Sequence, residues 1–134
     1  MKLDKNVKAW TDVEDTITTF PKFLKGGYFI QLPQILPKAT KVEIALTGNA
    51  IVYIALEEGE RNGGFDQSRL GEGWKKEVEF IATGDSEVLS PVFSFTSRFH
   101  KEKKIILPPT TTDETVMLIT VVPICTGTFF KIII

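Results

Sequence analysis

The sequence predicts an all-β domain, a two-sheet antiparallel β-sandwich or jelly roll of about eight to nine strands. Three observations predict it. No stretch of about a dozen residues places apolar side chains at i, i+3, i+4 and i+7, the spacing of a helix face. Short runs rich in Val, Ile, Thr and Phe recur from end to end. Gly, Pro and Asn separate those runs, and short strands punctuated in this way favour two stacked sheets over an open barrel.

The predicted strands are 10–20, 27–32, 41–46, 50–56, 74–82, 92–99, 103–107, 116–122 and 128–134. The first two mix aromatic and β-branched residues, and Pro33 closes the second. Between 41–46 and 50–56 lies Thr47-Gly48-Asn49; Gly and Asn tolerate the positive φ of tight turns, so a hairpin is expected there. In AIVYIAL (50–56) and in VMLITVV (116–122) both parities are apolar, the pattern of a central strand covered on both faces. The run 74–82 begins at Trp74. In 92–99, Phe93, Phe95 and Phe99 share one parity while Ser94, Thr96 and Arg98 share the other, which predicts one buried and one wet face. The run 103–107 opens with two lysines. TFFKIII (128–134) would be an aggregation hazard if uncovered, so it is expected to pair within a sheet or to be buried against a second subunit. Pro37, Pro91, Pro108, Pro109 and Pro123 fall at strand ends, where the missing N–H removes no ladder bond.

The length of 134 residues predicts one domain, 1–134, with no internal repeat and no linker. At 43% hydrophobic and 25% charged residues the composition supports a packed core. A net charge of −1 supplies no positive field to draw a phosphate backbone, so nucleic acid is not an expected partner. No run reaches the length of a membrane span, and no apolar segment follows the first lysines as in a secretory signal. A single cysteine, Cys125, excludes an intrachain disulfide and a cysteine-based zinc site. Together these features predict a cytoplasmic protein.

The segment EEGERNGGFDQSRLGEGW (57–74) is the candidate site, because a connection of this length is uncommon in a compact domain unless it is functional. Its glycines permit close backbone approach, and its side chains offer carboxylates and planar hydrogen-bonding groups. Three readings compete. It is a solvated loop whose Phe65, Leu70 and Trp74 tuck back onto the sheets. It is a ligand-binding rim in which Arg61, Asn62, Asp66, Gln67 and Arg69 form hydrogen bonds while Trp74 stacks on a sugar or anchors a partner. It is a Ca²⁺ site, although the alternating Asp/Asn spacing of an EF-hand loop is absent. The basic turn of Arg98, His100, Lys101, Lys103 and Lys104 beside Phe99 could hold a phosphate or an acidic partner, and reads more simply as a solvated hairpin tip. His100 is the sole histidine and cannot belong to a multi-histidine metal site. No paired acid and base, nucleophile triad or dinucleotide fingerprint assembles, so the expectation is a non-enzyme with no cofactor and no metal.

FLKGGYFIQLP, AIVYIALEEGER, GEGWKK, PVFSFTSRF and VMLITVVP, spanning 23–123, together resemble the small galactose-binding-like β-sandwich modules that accompany glycan-active enzymes. In those, a Leu, a Gly and an extended Ile-Gln stretch precede a Val-Tyr-[Val/Ile]-Ala strand and a tryptophan-bearing segment. The resemblance implies a non-catalytic recognition module. The expected function is therefore binding: a protein-interaction or self-associating domain, or, as the alternative, a carbohydrate-binding module that uses the 57–74 loop.

Overall fold

The computed structural model describes residues 2–4, 7–11, 16–32, 39–46, 48–55, 70, 73–83, 90–97, 103–107, 118–124 and 130–133. Among them the chain is all-β, with a 3-10 turn at Lys22–Leu24 and no α-helix. The strands are β1 (Ile17–Thr19), β2 (Tyr28–Ile30), β3 (Glu43–Leu46), β4 (Ala50–Ala55), β5 (Trp74–Thr83), β6 (Ser90–Ser97), β7 (Lys103–Ile106), β8 (Leu118–Pro123) and β9 (Phe130–Ile133). They form two antiparallel sheets, ordered β1-β5-β6-β4-β8-β2 and β7-β3-β9. The larger is continuous from β5 to β2, and β1 joins its edge through an irregular register.

Each of the nine predicted runs overlaps one of these strands, and the largest difference is in the first. Its strand is confined to Ile17–Thr19, while Trp10 makes only an isolated parallel bridge with Leu32. The hairpin expected at Thr47-Gly48-Asn49 is not formed. The strand before it pairs with β7 and β9, and the strand after it pairs with β6 and β8, so the chain crosses there from one sheet to the other. Packing explains the crossing. Ile44 and Leu46 of β3 and Ala50, Val52 and Ile54 of β4 enter one core, which they can do only from opposite sheets. The Ile124 N–H donates to the Asn49 carbonyl at 2.9 Å and holds the turn against the end of β8.

That core lies between the sheets. Val42, Ile44, Leu46, Ile105 and Leu107 meet Val52, Ile54, Phe93, Ile119 and Val121 there, with Phe130 and Ile132 of β9 packed against them. Each fully buried Val, Ile, Leu or Phe contributes about 1.5–3 kcal/mol of transfer free energy. The arrangement is β-sandwich-like.

A second core lies on the other face of the large sheet: Leu3, Ala9, Trp10, Ile17, Leu24 and Phe29 packed on Tyr53, Ala55, Ile81, Val92 and Leu118. The apolar residues of both parities in β4 and β8 are used here, since these adjacent central strands are buried on both faces. The wet face read for 92–99 starts later than expected. Val92 and Ser94 are buried beneath the second core, and only from Thr96 is that face exposed.

The amino-terminal residues close this layer. The Leu3 N–H donates to Gly27 O at 2.8 Å and the Gly26 N–H to Leu3 O at 3.0 Å, at the start of β2. The Ile17 N–H donates to Val7 O at 2.8 Å, at the start of β1, and the Thr11 N–H to Leu32 O at 3.0 Å. Lys8 bridges Thr16 at the start of β1 and Trp10 bridges Leu32 just past β2. Two residues reach at most about 7 Å and each bridge adds about 5 Å, so these strand ends lie within about 17 Å, whereas a flat sheet of this strand order would hold β1 and β2 about 24 Å apart. The large sheet is therefore curled around the second core. Within the sheet the pairing of β5 to β6 slips between Lys76 and Phe80, an irregularity of the kind that bends a strand and increases its twist.

Candidate functional site

Five of the six residues expected to bind ligand, Arg61, Asn62, Asp66, Gln67 and Arg69, lie outside the described residues, as do Phe65, Arg98, His100, Lys101 and Cys125. Trp74 is described and is buried, at 9% exposure, in the core between the sheets. Its ring packs on Phe95 with centroids 5.4 Å apart, and Leu70, 8% exposed, joins the same cluster. The end of the 57–74 segment thus tucks inward, and the indole offers no free face to a sugar.

The turn into β5 depends on Gly73. Its φ of +88° lies in the region that L side chains rarely adopt. A Cβ there would stand 2.7 Å from Phe95 Cε2. Glycine is needed both for the backbone path and for the close approach of the Phe95 ring that holds Trp74.

Polar side chains interrupt the second core in a row across the large sheet. Register aligns Thr120 of β8 with Tyr53 of β4, and Tyr53 with Ser94 of β6. Ser94 Oγ donates to Glu77 Oε1 at 2.7 Å, which satisfies a buried hydroxyl with a charged acceptor. Burial first, and the Glu77 carboxylate second, raise the Tyr53 phenol above its ordinary value of 10.0, so it is a neutral hydroxyl at physiological pH. Phe23, on the 3-10 turn and largely exposed, packs its ring on Tyr53 at 5.2 Å between centroids. Thr120 Oγ1 and Trp10 Nε1 are buried with no hydrogen-bond partner among the described residues. Gly27 sits directly over Thr120; a Cβ there would come within 2.8 Å of the Thr120 methyl and 3.1 Å of Leu24 O. The row is closely covered, and its visible chemistry is the hydrogen bond from Ser94 to the Glu77 carboxylate.

The small sheet presents a different surface. Ile44 and Leu46 of β3 face the core, while Glu43 and Ala45 alternate to the outward face and are half-exposed. On the flanking strands Lys104, Lys131 and Ile133 are exposed, Ile133 at 40%. Strands β7 and β9 are both sheet edges, with no further strand beside either among the described residues. The large sheet's edges differ: β2 carries an antiparallel bridge from Lys2 to Tyr28, and the start of β1 is tied by Val7 and by a Lys8–Thr16 bridge. Tyr28 is further covered by Lys2 Nζ, 4.6 Å from its ring centroid, and by Phe130 at 5.5 Å.

Among the described residues no three His, Cys, Asp or Glu side chains converge as metal ligands, and no helix is long and apolar enough to cross a membrane. No protein family, curated protein or solved structure matches the chain.

Proposed function

We propose that this domain is a non-catalytic, self-associating interaction module that works through its three-stranded sheet. The observation that carries the reading is the contrast between edges. Unpaired strand edges are templates for association unless a protein covers them. Residues 2–4 and 7–11 tie both outer strands of the large sheet, whereas β7 and β9 are left open among the described residues and Ile133 is exposed beside them. The repeated crossing of the chain between the sheets, at β2–β3, β3–β4, β6–β7, β7–β8 and β8–β9, supports a jelly-roll or galactose-binding-like connectivity. A glycan-binding role for the 57–74 loop loses its stacking platform with the burial of Trp74. Sedimentation equilibrium over a wide concentration range tests the proposal. A reversible monomer–dimer equilibrium is expected, weakened by Ile133→Lys; a monomer at every concentration overturns it.

A further inference from the structure

We infer that two copies of this chain meet face to face on the outward side of the β7-β3-β9 sheet, with Glu43 of each copy seated over Ala45 of the other, between its Lys104 and Lys131. The inference rests on the self-association reading and names the contact. Two rows of residues cross this face. One is Lys104, Ala45 and Lys131, aligned by the register of β7, β3 and β9. Two residues along each strand, the other sets Glu43 beside Ile133. Strands about 4.8 Å apart place the two lysine Cα atoms about 10 Å from each other, with only the Ala45 methyl between them. This is a shallow hollow flanked by cations. Glu43 projects from the same face about 7 Å along the strand.

A two-fold axis lying in the contact plane, across the strands and midway between the rows, carries each row of one copy onto the other row of its partner. Glu43 then drops over the small Ala45 between two lysines, and the reciprocal contact forms at the same time, as an isologous interface requires. Ile133 of each copy lies along the aliphatic stem of the other copy's Lys131, which covers apolar surface while leaving the ammonium at the rim. Charge selects this occupant. A uniformly acidic partner would satisfy the lysine row and be repelled by Glu43, and a basic one the reverse; a second copy complements both.

Charge reversal tests the arrangement. Glu43→Lys alone, and Lys104→Glu with Lys131→Glu alone, should each weaken self-association at least about tenfold, because like charges then face each other across the contact. Mixing the two variants should restore a one-to-one heterodimer at near wild-type affinity, which also shows that both fold. Sedimentation velocity with one variant fluorescently labelled reads this directly. Recovery on mixing supports the inference. A wild-type dimer unaffected by either variant, or variants that stay monomeric when mixed, overturns this contact while leaving self-association standing. A wild-type protein that is always monomeric overturns both.

Discussion

Replacing Gly73 with alanine tests the packing that brings Trp74 into the core. The substitution places a side chain at φ +88° and puts its methyl 2.7 Å from Phe95 Cε2 and 3.2 Å from Phe95 Cδ2. Holding a non-glycine residue in a sparsely populated backbone region costs about 1–3 kcal/mol. Forcing a methyl into a packed aromatic contact costs a further ~1–3 kcal/mol, because Phe95 is itself stacked on Trp74 and cannot swing freely. The expected loss is about 2–6 kcal/mol, a large share of the ~5–15 kcal/mol that keeps a domain folded. Urea unfolding should show a lower midpoint at an unchanged slope. The two contributions separate in a Phe95→Leu background. There the ring that meets the new methyl is gone, so Gly73→Ala should cost less by about the packing share and retain the backbone share. A loss under about 1 kcal/mol in the wild-type background refutes the turn geometry, and an equal loss in both backgrounds refutes the steric account.

Two further outcomes follow from the polar row. Thr120→Val keeps both branches at Cβ and removes a buried hydroxyl that lacks a partner among the described residues, so urea unfolding should show unchanged or higher stability, by up to about 1–3 kcal/mol; a clear loss would show that the hydroxyl is bonded. The raised pKa of Tyr53 gives stability that is fully present below the unfolded-state value of about 10 and is lost as pH rises through the higher folded-state value. Unfolding measured from neutral to strongly alkaline pH should therefore show a decline that Tyr53→Phe flattens, and an identical decline in that variant would contradict the assignment.

The strands were legible because alternation and burial are written in the same residues. Phe93 and Phe95 announce their face, and the doubly apolar runs of β4 and β8 announce coverage on both sides. The pairing was less legible. Thr47-Gly48-Asn49 has the chemistry of a hairpin, yet a turn residue fixes only the local path, and whether the flanking strands pair or face each other is decided by distant partners, β7 and β9 on one side and β6 and β8 on the other. Ser94 illustrates the same limit. Its parity with Thr96 suggests water, but it shares its face with Val92 of the second core and its hydroxyl is bonded to Glu77 of the neighbouring strand. A contact with a residue on another strand leaves no periodic trace. The row of Tyr53, Ser94 and Thr120 did have a faint signal: Tyr53 and Thr120 each break an otherwise apolar run. Trp74 stands out in the sequence as an aromatic after a polar loop, and its burial follows from Gly73 letting the chain turn it toward Phe95.

The curl of the large sheet and the exposure of the small one have one origin. Leu3, Ala9 and Trp10 must be buried, and the surface available to them is the outer face of the large sheet; covering that face also draws residues 2–4 and 7–11 along β2 and β1. The three-stranded sheet receives no such cover from the described residues, so its outward side keeps the alternating composition of a half-exposed strand: Glu43 and Ala45 on β3, Lys131 and Ile133 on β9. Such a face is stable in water by virtue of its charges, and the same charges, set in offset rows of opposite sign, make it complementary to its own copy. The residues that keep the monomer's surface polar are thereby those that would specify the partner.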